Sequence, residues 1–311
     1  MSLALALFWG MPHPCFGGSE REAFITNQIG DSLSIVDLAT LKTVAEVKIG
    51  GKPAGIALSP DGGKAYLAAP ESKEVVVVDL TARAVTQRYK VGEGPLGIAV
   101  SPKSGLIYVA DWYEHTLYVL DPATGTIVGK VATGQSPSGV AVSRDGSLIL
   151  TADRDSNEIS IIDAQDLKRL RGIGTGERPF GVTIDRDARF AYTANVKSDD
   201  LSIIDLEKQK LVTSVKVGHR PYAVALAKGR AFVSDQYGAT VSVVDLISNE
   251  VLKTIPVGEY PEGILADAEE AYVYVACWDA NTLEKIDTTT LEVVGKAEVG
   301  AGPRAFGAFL R

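Results

Sequence analysis

The stretch Gly50-Gly51-Lys52-Pro53-Ala54-Gly55 decides the fold, because its framework returns seven times. The leading glycine recurs as Gly50, Gly92, Gly134, Gly176, Gly218, Gly258 and Gly300, and a proline stands three residues after each one. An aspartate series, Asp37, Asp79, Asp121, Asp163, Asp205, Asp245 and Asp287, keeps the same rhythm. The step is 42 residues, except for 40 between the fifth and sixth copies. Three residue types sharing one such period define an array of one supersecondary unit.

Within a unit the pattern is that of strands. Gly55-Ile56-Ala57-Leu58 is small and apolar, and Pro60-Asp61-Gly62-Gly63 is a turn. Lys64 to Ala68 and Glu74 to Asp79 are β-prone runs, and Ala84 to Val91 is a fourth, more polar strand. Four short strands per unit without helical periodicity is a propeller blade. The fold class is therefore all-β, a seven-bladed β-propeller of four-stranded antiparallel blades. The chain enters at Ala23 to Asn27, in the phase of a second strand, and ends at Ala305 to Phe309, in the phase of a first. The C-terminal strand is expected to complete the first blade and remove two open sheet edges.

Tyr108-Val109-Ala110-Asp111, Tyr192-Thr193-Ala194-Asn195 and Ser59-Pro60-Asp61-Gly62 resemble the YVTN-type repeats of bacterial seven-bladed propellers, including the YncE-like proteins. The resemblance covers almost all of residues 21–311. It implies an exported or cell-surface protein and names no activity, since the matching residues are structural.

Residues 1–20 precede the single propeller domain, 21–311. Leu3 to Trp9 is a short apolar run, broken by Pro12, Pro14, Gly17 and Gly18. It is expected to be an export signal, or else an apolar tail packed on the body, so the protein is expected outside the cytoplasm. No stretch has the roughly 20 apolar residues of a membrane helix. The net charge of −8 points away from nucleic acid. With only Cys15 and Cys277, no disulfide framework is expected.

The repeated residues read as structural. Each aspartate ends a third strand and accepts the N–H groups of the next turn. Each glycine is expected to supply an unusual backbone angle, and each proline to fix φ. Function is then sought where the blades differ. The residues flanking each proline, and the loop between strands two and three, are expected around one mouth of the channel. That set includes Trp112, Arg154, Arg178, Phe180, Arg220, Tyr222, Tyr260, Glu262, Trp278 and Arg304, which we take as the binding face. Aromatic and arginine enrichment marks recognition surfaces, and three guanidinium groups, on Arg154, Arg178 and Arg220, suit a carboxylate or phosphate.

His13, His115 and His219 have no paired spacing, and no Gly-x-Ser-x-Gly occurs, so no metal, cofactor or catalytic residue is assigned. The expected function is binding of a protein partner or a small anionic ligand at this mouth. The alternatives are a lactonase-like hydrolase or isomerase working there, and a periplasmic partner of a redox protein.

Overall fold

The computed structural model describes residues 21–311. The expected export signal or apolar tail lies outside them. Seven antiparallel sheets stand around a central axis, one per repeat. In the fourth blade the inner strand Pro137–Val142 is followed outward by Leu148–Asp153, Glu158–Asp163 and Lys168–Gly174. The other complete blades repeat this order.

Hydrophobic patterning explains the layering. Second and third strands lie between two neighbouring blades and are buried on both faces, as Phe190–Asn195 and Asp200–Asp205 show. Their sequences are accordingly rich in apolar residues, with buried polar ones such as Thr193 and Ser202 among them. Outer strands such as Lys210–Lys216 are exposed along most of their length, with one buried residue, Val215, near the end. The apolar core therefore sits in slabs between blades. In one slab Tyr192, Leu201 and Ile203 meet Val224, Val233 and Val244 of the next blade.

The aspartates hold the outer turns as expected. Asp79 Oδ1 accepts the N–H groups of Thr81 and Ala82 at 2.9 and 2.7 Å, and Asp245 Oδ1 those of Ile247 and Ser248 at 2.9 and 2.8 Å. The short repeat has a local cause. Its inner strand Pro221–Ala227 and second strand Arg230–Asp235 are joined by Lys228-Gly229 alone. Both residues take positive φ, +49° and +70°, the signature of a tight two-residue hairpin.

The first blade contains Glu22–Asn27, Ser32–Asp37 and Lys42–Lys48, and the C-terminal segment takes its inner place. Phe24 N–H donates to Phe309 O at 2.8 Å, Arg304 N–H to Thr26 O at 2.7 Å, and Arg311 N–H to Glu22 O at 2.9 Å. Phe306–Gly307 also runs parallel to Gly55–Leu58, so the last strand binds the first two blades together. Phe309 is fully buried, and Glu22, 3 % exposed, pairs with both Arg311 and Arg83.

Two outcomes are expected. Deleting residues 304–311 removes these backbone bonds, about 1 kcal/mol each, and the burial of Phe306 and Phe309, roughly 1.5–3 kcal/mol each. Together these approach a whole net stability of about 5–15 kcal/mol, so the truncated chain should lose its cooperative melt. A soluble, cooperatively melting truncation would disprove the closing role of the strand. Asp205→Ala should cost about 1 kcal/mol through the lost bond to Lys208 N–H. Equilibrium denaturation in urea reads this directly.

Candidate functional site

Each Gly-x-x-Pro link carries the chain from the outer strand of one blade to the inner strand of the next, and it is pinned from both sides. The preceding blade holds the N–H of the residue before proline. Asp31 Oδ1 accepts from Lys52, His115 Nδ1 from Ser136, Asn157 Oδ1 from Arg178, Asp199 Oδ1 from Arg220 and Asn281 Oδ1 from Gly302, all at 2.8–3.0 Å. These acceptors themselves sit at φ between +52° and +56°, where Asn, Asp and His are the tolerated side chains. His115 is thus committed to a backbone bond.

The following blade holds the start of the link through the last residue of its second strand. Asp111 Oδ2 accepts Glu93 and Gly94 N–H, both at 2.7 Å, and Asp153 Oδ2 accepts Gly134 N–H at 2.9 Å.

This geometry corrects the expected role of the glycines. Only Gly50 and Gly92 of the seven take positive φ. In the others glycine makes room. A Cβ on Gly134 would come within 2.8 Å of Asp153 Cβ, on Gly218 within 2.3 Å of the Asp235 carboxyl carbon, and on Gly258 within 2.9 Å of Cys277 Cβ. The left-handed residue is instead the one before proline: Lys52, Ser136, Arg178, Arg220 and Tyr260 lie at φ +53° to +59°.

The residues after the prolines converge on the axis. Phe180 packs on Tyr222 with ring centroids 4.4 Å apart, and both pack on Phe306 of the closing strand, at 5.2 and 5.5 Å. Trp112 adds an outer ring 6.2 Å from Phe180. Beside them Arg304 Nε lies 2.9 Å from Glu262 Oε2 and donates to the Tyr222 hydroxyl at 2.9 Å, and its Nη1 donates to Gln28 Oε1 at 3.1 Å. Gln236 donates to Glu262 Oε1 at 2.6 Å. Burial pushes the Glu262 carboxyl above the ordinary range, and the Arg304 guanidinium pulls against it. Burial also disfavours the Arg304 charge, but Glu262 and Tyr222 together outweigh it and raise the guanidinium further. Arginine keeps its proton, and Glu262 is the buried carboxyl that Arg304 contacts. Phe180, Tyr222 and Glu262, at 7, 3 and 5 % exposure, therefore lie beneath the surface and fill the axis on this side.

Around this plug the face is broad. The Arg154 guanidinium lies 5.3 Å over the Trp112 ring and pairs with Asp155 at 2.7 Å. Burial lowers it, Asp155 opposes that, and the charges of Arg178 and Arg220 lower it further, so the three arginines share one neighbourhood. Arg220 lies 4.4 Å over Tyr237 and donates to its hydroxyl at 2.9 Å, while its Nε is buried with no hydrogen-bond partner among the described residues. From Tyr237 a chain of rings continues to Tyr260 at 5.4 Å and Trp278 at 6.3 Å. Trp112, Phe180, Arg304 and Tyr113 line a small depression of about 210 Å³.

Sequence reasoning quoted Asp111 and Asn195 within the repeat motif but missed the shared role of the buried residues that end the second strands. Asn27, Ala69, Asp111, Asp153, Asn195, Asp235 and Cys277 follow the repeat period, and that shared spacing was the available signal. Asp153 and Asp235 are fully buried. Burial pushes both carboxyls up to about 6, against hydrogen bonds from Ser160 and Thr151 in one case and Ser242 and Thr240 in the other. At the same position, burial pushes the Cys277 thiol up, so it is an inert packed group.

Fold and site together define a seven-bladed β-propeller plugged on its loop face. The chain belongs to the YncE-like beta-propeller family, whose model matches residues 14–104 and 100–308. No curated protein matches it. Among solved structures it is similar to Kuenenia stuttgartiensis hydrazine synthase, with TM-score 0.73 and 20 % identity over 81 % of this chain and 88 % of that one. It is also similar to a functionally unknown protein from Desulfotomaculum acetoxidans, with TM-score 0.77 and 16 % identity over 93 % and 98 %. A third similar structure is the dihydro-heme d1 dehydrogenase NirN in complex with DHE, with TM-score 0.70 and 18 % identity over 92 % of this chain and 66 % of that one. At these identities the likeness is one of fold.

The buried aspartates set a pH dependence. Their folded values near 6 exceed the unfolded value of 3.8. Their contribution is therefore fully present below about pH 4 and lost as pH rises through about 6, by at most ~3 kcal/mol each. Turn aspartates such as Asp145, held down to about 2 by Ser143 and Ser147, act oppositely, and their contribution is lost as pH falls below about 4. The melting temperature should be higher at about pH 5 than at about pH 8, and Asp153→Asn should shrink that difference. A parent protein that melts higher at the alkaline pH would contradict the assignment.

Proposed function

We propose that the protein is a non-catalytic recognition scaffold whose plugged face binds an acidic segment of a partner protein. The observation that carries this reading is the gathering of Arg154, Arg178 and Arg220, with Asp155 the one carboxylate paired with them among the described residues. On a chain of net charge −8 such a basic patch is a local exception. Guanidinium groups suit carboxylates in bidentate geometry. Exposed Tyr237 and Tyr260 with half-buried Trp278 beside them, and half-buried Trp112 beneath Arg154, supply the amphipathic ring surface that protein interfaces use as anchors.

Breadth favours a macromolecular partner over a small substrate. The axis is filled here by Phe180, Tyr222 and Phe306, and the remaining depression is shallow. A hydrolase reading needs an accessible acid or base, whereas Glu262 is buried and held by Arg304 and Gln236. Its role in the proposal is to position Arg304 and keep the plug rigid. A location outside the cytoplasm is part of the same proposal and rests on the family resemblance and the apolar run from Leu3 to Trp9.

An oligo-glutamate peptide is the direct probe. It should bind the parent protein at low salt by calorimetry and weaken as salt rises. Arg220→Ala should reduce binding by about 1.5–3 kcal/mol, the scale of a hydrogen bond to a charged group. Its effect on folding should stay within about 1 kcal/mol. An absence of peptide binding, or equal binding by parent and variant, would overturn the acidic-partner reading.

A further inference from the structure

On the side opposite the plug the axis is open. A cavity of about 650 Å³ is lined by the later halves of the inner strands and by Phe306, which packs against the plug at the other end. That volume is within the range of roughly 300–1,000 Å³ typical of small-molecule sites.

The rim of this cup is chemically uneven. Arg144 and Arg186 line it from neighbouring blades. They occupy equivalent turn positions, where the second and third blades carry Pro60 and Pro102. Both are exposed, and among the described residues neither guanidinium makes an ion pair or side-chain hydrogen bond. The carboxylates that line the cavity, Asp267 and Glu270, are engaged, as are Asp145 and Asp185 in the neighbouring turns, while Asp187 beside Arg186 is exposed. Asp267 Oδ1 accepts Ala271 and Tyr272 N–H at 2.7 and 3.1 Å, Glu270 Oε2 accepts Lys228 N–H at 2.7 Å, Asp145 holds Ser147, and Asp185 holds Arg189. Of the charged residues lining the cavity, the two arginines are thus the ones without a hydrogen-bond partner among the described residues.

The wall adds a second requirement. Apart from Gly55–Leu58, whose other edge pairs with Phe306–Gly307, each complete blade's inner strand is hydrogen-bonded to a neighbouring strand on one side only, so much of its other edge turns N–H and C=O groups towards the axis. Val140, Ala141 and Val142, for example, are only half-buried. Wall side chains here are apolar and range from alanine to Ile98, Ile184, Ile264 and Phe306, apart from Thr183, whose hydroxyl donates to Val224 O at 2.6 Å. An aliphatic guest would strip water from these backbone groups and return no hydrogen bonds. A guest rich in hydroxyl groups would replace them.

We propose that this cup binds a small hydroxylated anion, a sugar acid or a sugar phosphate. The anionic group lies between Arg144 and Arg186, and the hydroxyls meet the strand edges. The site is independent of the partner-binding face.

Thermal shift and calorimetry with D-gluconate, D-glucose 6-phosphate, inorganic phosphate and octanoate test it. At about 10 mM ligand, a site of about 1 mM Kd is nearly full and stabilises the fold. At least one hydroxylated anion should raise the melting temperature of the parent, and octanoate should not. Arg144→Ala/Arg186→Ala should weaken that binding at least about tenfold while melting normally without ligand, and Arg220→Ala should leave it unchanged. Gluconate and glucose 6-phosphate distinguish a carboxylate from a phosphate as the anionic group. The proposal falls if neither sugar anion binds, if the double variant binds as the parent does, or if octanoate or phosphate alone binds equally well. Because Arg220 serves as the control, failure here leaves the acidic-partner reading separately decidable.

Discussion

The structure depends on how the chain passes from one blade to the next. A link of six residues must leave an outer strand, cross the loop face and enter an inner strand, with few ladder partners of its own. Its N–H groups are met by side chains, from Asn157 or Asp199 on the blade behind and from Asp111 or Asp153 on the blade ahead. A backbone donor left unmet in such a place is costly. The glycine is small because the acceptor ahead must come so near. The same pins that join the blades hold Arg178 and Arg220 in left-handed backbone conformations, so the fastening of the ring also fixes where its varied side chains stand.

Closure and plugging share one segment. The last residues supply the inner strand of the first blade, Phe306 under the plug, and Arg304 beside Glu262. Ring completion thereby delivers a charged group to the axis. A buried carboxylate with a guanidinium removed would be strongly destabilised, which couples the Glu262 site to the state of the C-terminal strand. The molecule is consequently two-sided. One side is filled and displays arginines and rings, and the other is an open cup edged by strand backbone and by Arg144 and Arg186.

Much of this was legible. The period, the turn aspartates, the phase of the termini and the convergence of Phe180, Tyr222, Glu262 and Arg304 follow from spacing, because a repeat maps equal positions to equal places around a ring. The three arginines were recognisable as neighbours for the same reason. The glycines were misjudged. Backbone angle and lack of room both select glycine, and spacing cannot separate them. The shared role of the residues ending the second strands was overlooked because their types vary from Asn to Cys, so the series does not announce itself by identity.

Sequence alone determined the blade count, the strand order and the way the ring closes, since these are set by local patterning repeated at a fixed interval. Tertiary structure alone decided which side of the axis is filled. That outcome turns on how far Phe180, Tyr222 and Phe306 reach across the centre, from positions 126 residues and more than one blade apart. It also decided that Glu262 is buried against Arg304 and that Arg144 and Arg186 find no partner among the described residues. Pairing and burial depend on distances between blades, and a one-dimensional period carries no measure of those.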